Sequence, residues 1–364
     1  MTLHYYIARR FFWILASVFA IFFAFMTLLD LVEQMRRFDS SVSFGEVLRL
    51  TLLNTPKSLY QILPLVVILS AIALFIGLAR SSELVVIRAA GRSATSSLLA
   101  PVMVALILGG LAVGVFNPIV AATSKQYNQM RELYRNGGTS TLSIGAEGLW
   151  LRQGDETGQT VIRASRANPE ATVLYQVSFV SYAPGGGPVQ RIEADTARLD
   201  NGHWVLDDAK VWPLSATLNA EAAAKRFDSV EVSSTLTQES IRDRFGTPSA
   251  VPIWELRAYI AELELAGFSA RRHFVWLQME MAKPLFLAAM VLVGAAFTMG
   301  HSRLGKTGIG VLSAILLGFG LYYVRNFAQI LGENGQVNAV LAAWAPPVAS
   351  VLLAFGLILH REEG

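Results

Sequence analysis

The sequence predicts a polytopic α-helical membrane protein: six transmembrane helices, with an all-β domain inserted between helices three and four. Three observations carry that prediction. Of 364 residues, 53% are hydrophobic and only 16% are charged, against roughly 25% charged in an ordinary soluble domain. Six apolar runs carry no formal charge and approach the roughly 20 residues that span hydrocarbon. Between the third and fourth runs, the chain turns into short alternating segments separated by Gly/Pro signals.

The runs are Phe11–Leu29, Leu59–Ala79, Leu98–Val115, Pro284–Met299, Gly308–Val324 and Ala339–Leu359. The fourth extends backwards through Phe274–Met281. The first exceeds the h-region of a cleaved signal, about 7 to 15 residues, and no A-x-A site follows it. Six spans put both termini on one side. With the N-terminus inside, inner segments hold Arg9, Arg10, Arg80, Arg88, Arg92, Arg303, Lys306 and Arg361. The short outer loops hold Arg36, Arg37, Arg49 and Lys57, with Arg325 at a helix end. That bias favours N-inside and sets the long middle segment outside. The chain has no cysteine, which excludes a disulfide framework and any thiolate site. A net charge of +3 gives no reason to expect a nucleic-acid partner.

In the middle segment, alternating runs occur at Gly148–Arg152, Thr160–Arg166, Leu174–Tyr182, Gln190–Leu199, Trp204–Trp212 and Phe227–Ser233. Turn signals lie at Gly154-Asp155, at Pro184 with Gly185–Gly187, and at Asn201-Gly202. Regular short strands with this punctuation predict a β-sandwich, jelly roll or barrel. An amphipathic helix over Trp254–Ala266 follows, opening after Pro252 and stopping at Gly267.

GHSRLGKT, residues 300 to 307, fits the phosphate-loop pattern through Gly300, Gly305, Lys306 and Thr307. A working phosphate loop joins a buried strand to a helix; this one joins two apolar spans. Its glycines suit a tight turn, and Arg303 and Lys306 suit the inner side. The match is accidental. The histidines His4, His203, His273, His301 and His360 show no metal-ligand spacing, and neither H-E-x-x-H nor G-x-S-x-G occurs. The sequence therefore reads as a non-enzyme.

RSSELVVIRAAGRS, residues 80 to 93, lies between spans two and three on the inner side. Ser81 or Ser82 can cap a short helix with Glu83 in its first turn, and Gly91 can end it. Glu83, Ile87 and Ala90 would share one face; Arg80, Leu84 and Arg88 would share another. Such a helix lies flat on the membrane or docks in a groove of a cytosolic partner.

This loop closely resembles the inner-loop motif of the LptF/LptG permeases of the lipopolysaccharide-export ABC transporter. The resemblance covers essentially the whole chain: three spans, an outer β domain, a helical return and three more spans. GLWLRQGD (148–155) and AYIAELELAGFSARRHFVWLQMEMAKPLF (258–286) resemble the LptG branch. The resemblance implies transmembrane helices 1–3 within residues 1–135, including a coupling loop at 80–93. It implies a periplasmic β-jelly-roll-like domain at 136–245, a helical return at 246–272 and helices 4–6 at 273–364. It implies an inner-membrane permease subunit that extracts lipopolysaccharide and passes it to a periplasmic bridge. The alternative is a membrane-anchored periplasmic scaffold or sensor without transport. No cofactor is expected in this chain; ATP and Mg would be bound by a cytosolic ABC ATPase dimer. The other implied partners are an LptF-like sister permease, an LptA-like bridge protein and a single-span LptC-like regulator.

By the same resemblance, Arg80, Glu83, Leu84, Ile87, Arg88 and Gly91 would form the ATPase-coupling element. Phosphates of the glycolipid call for cations near the outer headgroup level. Candidates are Arg36, Arg37, Lys125, Arg131, Lys283 and Arg325. Where relatives often carry a lysine near the outer end of span one, this chain has Asp30. Pairing with Lys283 or Arg325, a bridging water, or altered headgroup chemistry would each account for it.

Overall fold

The computed structural model describes residues 2–37, 43–89, 94–136, 142–145, 148–155, 158–168, 173–183, 186–200, 202–214, 219–234, 247–265, 269–299 and 307–363. These form two units. One comprises residues 1–128, 252–254 and 271–364; the other comprises residues 129–251 and 255–270.

The helices are α1 (Thr2–Arg37), α2 (Phe44–Arg80), the short α3 (Glu83–Ala89), α4 (Ala94–Leu111), α5 (Asn117–Asn136), α6 (Ile253–Leu265), α7 (Arg271–Thr298), α8 (Thr307–Glu333) and α9 (Ala339–Glu363). Among the described residues, six helices are long and apolar enough to cross a membrane. They match the six apolar runs. Each exceeds its run because charged and polar turns extend the helix past the apolar stretch, as with the VEQMRR end of α1. A capping box starts α2. Ser43 accepts from the Glu46 N–H, and Glu46 accepts from the Ser43 N–H at 2.9 Å.

The third span is α4 and α5 joined by a π-helical turn, Ala112–Phe116. A π turn leaves a carbonyl without its usual partner. Here the Trp254 indole donates to the Gly114 carbonyl at 3.2 Å, and Asn117 Oδ1 accepts from the Ile253 N–H at 2.9 Å, which starts α6.

Helix α7 is the most buried span and packs against α2, α4, α8 and α9. Small residues let it approach its neighbours. A Cβ added at Gly109 would stand 2.4 Å from the Pro284 Cα, and one at Gly294 would stand 2.9 Å from the Ala71 Cβ. By contrast, α1 and α8 leave most of their apolar surface uncovered, including Trp13, Ile21, Leu28, Leu316, Tyr323 and Phe327.

The β unit contains β1 (Leu142–Gly145), β2 (Gly148–Asp155), β3 (Gly158–Ala167), β4 (Val173–Tyr182), β5 (Pro188–Asp200), β6 (His203–Pro213) and β7 (Lys225–Ser233). Each pairs antiparallel with the next in one sheet. The sequence did not predict β1, because four residues are too few to show alternation. Gly154 and Asp155, expected as a turn, belong to β2 and pair with Gln159 and Gly158. The backbone there stays extended, and the chain reverses only beyond Asp155. Of the Asn201-Gly202 signal, Asn201 lies outside the described residues; Asp200 pairs with His203, and Gly202 takes φ +82°.

Burial in this sheet slips by one residue along a line across four strands. Buried residues lie three apart there: Ala164 and Ala167, Leu174 and Val177, Ala194 and Ala197, Leu206 and Ala209. Strict pleating would put them two apart. Gln176 and Asp208 sit on that line with φ of 50° and 53°. In β4 and β6 the left-handed residue turns the strand over, and in all four strands the two halves bury opposite pleats. Phe179 and Trp204, from opposite sides of the line, meet edge to face at 6.1 Å. Bent strands thus let one hydrogen-bonded sheet enclose its own core, as corners do in two-layer β folds, in keeping with the expected jelly-roll-like domain.

In α6, the buried residues Ile253, Leu256, Ile260 and Leu263 form one helical stripe, as its amphipathic pattern predicts. The predicted stop at Gly267 lies outside the described residues.

Candidate functional site

The loop between α2 and α3 is built from serines and an acid. Helix α2 ends at Arg80, whose side chain is exposed. Ser82 turns the chain with φ 57°, and its carbonyl accepts from the Val85 and Val86 N–H groups at 3.1 and 3.2 Å. It therefore occupies the N-cap position, and Glu83 opens α3 where an acid suits the helix dipole.

Glu83 Oε1 accepts from Arg10 Nη1 of α1 at 2.7 Å and from Ser81 Oγ at 2.6 Å. The same guanidinium nitrogen donates to the Tyr6 hydroxyl at 2.9 Å. Partial burial raises the Glu83 pKa, but hydrogen bonds from Ser81, Arg10 and Tyr6 outweigh it and hold the carboxyl below its ordinary value. Glu83 is thus an anion latched to the start of α1.

The faces of α3 differ from the expected ones. Leu84 and Ile87 are only 4% and 8% exposed and belong to the core of the helical unit. Val85 and Val86 are 52% and 67% exposed. Leu84 and Ile87 therefore anchor α3 to its own chain, and the outward apolar surface is Val85 and Val86. The sequence alone cannot choose among four consecutive apolar residues, because every face of a short helix then looks apolar. The side chain of Arg88 and all of Gly91 lie outside the described residues. So does Gly300–Lys306, but its flanks are the long apolar helices α7 and α8. A strand–loop–helix phosphate site is not built there.

The outer cations separate into two groups. Arg36 and Arg37 are exposed and pair with Glu33 at 3.1 and 2.8 Å along their own helix. Lys125 is exposed on α5, and Arg131 is half-buried further along it. Lys283 and Arg325, in contrast, are buried among helices and do not lie at an outer surface. Lys283 Nζ bonds both oxygens of Glu280 at 2.8 and 3.0 Å and stands 3.2 Å from the Tyr60 ring centre. The Tyr60 hydroxyl donates to the same carboxylate. Arg325 donates to the Met279 carbonyl at 3.5 Å and lies over the Phe286 ring. Both are buried, Lys283 with an acid beside it and Arg325 on a backbone carbonyl, and their contacts join α2, α7 and α8. The missed partner, Glu280, sits three residues before Lys283, a helical ion-pair spacing that was readable in the sequence.

Asp30 has different partners from those expected. It accepts from Asn54 at 2.9 Å and from Gln34 at 3.4 Å, and Gln34 also donates to the Tyr127 hydroxyl at 2.8 Å. These uncharged groups join α1, α2 and α5. Pairing with Lys283 is replaced by the Glu280 bond.

Residues 5–360 match the family model described as lipopolysaccharide export system permease LptF/LptG. The chain is 26% identical to the lipopolysaccharide export system permease protein LptG of Escherichia coli (strain K12), over 86% of this chain and 85% of that one. It is 24% identical to the protein of the same name from Haemophilus influenzae, over 100% of this chain and 99% of that one.

Proposed function

The chain belongs to the LptF/LptG family of lipopolysaccharide export permeases, and from that premise we propose an LptG-type subunit worked by ATP hydrolysis in a soluble partner. It is a multi-pass inner-membrane permease component with a periplasmic β domain. A cytosolic ABC ATPase dimer docks on α3 and carries the nucleotide and magnesium. An LptF-like permease completes the cavity; an LptC-like regulator and an LptA-like bridge take the glycolipid onward.

The observation that carries this reading is α3 itself. A seven-residue helix between two spans directs Val85 and Val86 outward while Glu83 bonds to α1. Load on α3 therefore reaches a membrane span through one ion pair and through the anchors Leu84 and Ile87. Arg80 and Arg88 would frame the docking surface. The exposed apolar faces of α1 and α8 suit the sister permease and the lipid opening. Arg36, Arg37, Lys125 and Arg131 are the cations for lipid phosphate.

Glu83→Arg tests this reading. In cells depleted of the endogenous permease, the variant is expected to reach the membrane with its β domain folded and to export no lipopolysaccharide. Normal export by that variant would sink the coupling role. Purification from mild detergent should recover an ABC-type ATPase and a second six-span permease. Recovery of periplasmic partners alone would favour a scaffold.

A further inference from the structure

The inner end of α1 carries a cleft beside the Glu83 latch. Tyr6, Arg9, Arg10 and Trp13 line the half nearer the N-terminus, and Ile14, Ser17 and Val18 line the deeper half. The cleft encloses about 620 Å³, within the usual range of small-ligand sites, roughly 300–1,000 Å³. At 1.5 Å per residue its lining runs about 18 Å along the helix. Ser17, the one hydroxyl of the deeper half, already donates to the Trp13 carbonyl at 2.8 Å. The cleft is therefore cationic and aromatic at the inner headgroup level and apolar below it.

Its charges do not balance. Arg10 Nη1 is bound to Glu83 and to the Tyr6 hydroxyl at 2.7 and 2.9 Å. The other nitrogens of Arg10 make no hydrogen bond to a described residue, and Arg9 has neither hydrogen bond nor ion pair among the described residues. No acid precedes Asp30 in α1. The Trp13 indole N–H has no hydrogen-bond partner among the described residues either, and its ring meets Phe12 edge to face at 5.9 Å.

We propose that this cleft holds an anionic phospholipid of the inner leaflet. The phosphate sits on Arg9 and on the remaining N–H groups of Arg10, where a guanidinium suits it. Trp13 donates to a glycerol ester carbonyl, and one acyl chain lies over Ile14 and Val18. An indole, apolar with one polar edge, suits that depth. A zwitterionic headgroup brings its own cation and leaves Arg9 uncompensated, whereas an anionic one is attracted by each basic side chain. A water-soluble phosphate compound would leave the apolar half open. The exported glycolipid is a different ligand, because Arg36 and Arg37, proposed for its phosphates, lie at the other end of α1. The site stands one guanidinium away from the Glu83 latch and does not rest on the export reading.

The test places the full chain in nanodiscs of phosphatidylcholine with a minor fraction of phosphatidylglycerol. Bromine is carried on the acyl chains of one lipid or the other. It quenches an indole only on contact, and subtracting a Trp13→Phe chain isolates Trp13 from the seven tryptophans of the protein. Quenching by brominated phosphatidylglycerol is expected to exceed its share of the bilayer about fivefold, the enrichment that one basic side chain at the surface supplies. Arg9→Gln should abolish that excess, and Arg9→Lys, which keeps the charge, should keep most of it. Arg9 and Trp13 are both exposed, so neither substitution disturbs the core. Quenching in proportion to bilayer composition would mean ordinary annular lipid and overturns the proposal. So does an excess that survives Arg9→Gln, or one removed by inorganic phosphate at constant ionic strength. Loss of Trp13 quenching in the complex purified with its partners would give the cleft to a protein helix and overturns it as well.

Discussion

The Arg10–Glu83 and Lys283–Glu280 ion pairs have almost the same length, 2.7 and 2.8 Å, and opposite surroundings. The first leaves 30% and 31% of its side chains exposed; the second leaves 6% and 1%. A half-exposed pair is worth at most about 1 kcal/mol and exchanges partners easily. A buried pair adds little net stability, because desolvation offsets the attraction, but removing one partner strands a charge. Inside hydrocarbon a stranded charge has nowhere to go. Bond length therefore says little about role. The buried pair fixes how α2 and α7 meet, and the half-exposed pair can open when α3 is loaded.

The sharpest way to break this contrast is Lys283→Ala. It should cost about 3–5 kcal/mol, read as loss of the cooperative thermal transition of the chain in detergent. Replacing both partners, Glu280→Leu with Lys283→Met, should recover most of that loss. If the single variant melts normally, the pair is not the lock inferred here. Next in size is Gly109→Ala on the same side of the comparison. Its Cβ meets the Pro284 backbone, and overpacking of this kind costs about 1–3 kcal/mol. A Gly109→Ala Tm equal to the parent's would mean that α4 and α7 do not approach so closely.

On the coupling side the expected effects on stability are smaller. Arg10→Gln should lower stability by no more than about 1 kcal/mol while reducing export, measured by complementation. Its pH dependence has a definite sign. Glu83 titrates below its ordinary 4.5 when folded. The pair's contribution is therefore complete above about pH 4.5 and is lost as pH falls through the lower folded value. Parent and Arg10→Gln melting curves should converge in acid and differ at neutral pH; a gap that widens in acid would reverse the assignment. Smallest for stability is Val86→Asp, within about 0.5 kcal/mol for an exposed site. It should nonetheless abolish recovery of the ATPase, and retained recovery would take docking away from α3.

Much of the fold was legible because membranes and sheets impose periodicities. Charge-free runs near the span length located α1, α2, α4 with α5, α7, α8 and α9. Alternation located six of the seven strands. Glu83 was legible as the acid opening a short helix after two serines. Its partner Arg10 was not, because a contact across 73 residues leaves no local pattern. Which face of α3 turns inward was not legible for a related reason: in ELVVI, periodicity gives no preferred side. Lys283 and Arg325 were misplaced because a lysine or arginine near a helix end looks the same in sequence whether it snorkels to the interface or turns inward.

The sequence by itself determined the six spans, the inserted β domain and the placing of Gly300–Thr307 between two apolar helices, because each follows from local composition and spacing. Only tertiary structure decided which charges are locked and which are free. It also decided where the strands turn over at Gln176 and Asp208. Those outcomes depend on what packs against each residue. Burial and pairing are properties of neighbours brought from distant parts of the chain, and no local pattern encodes them.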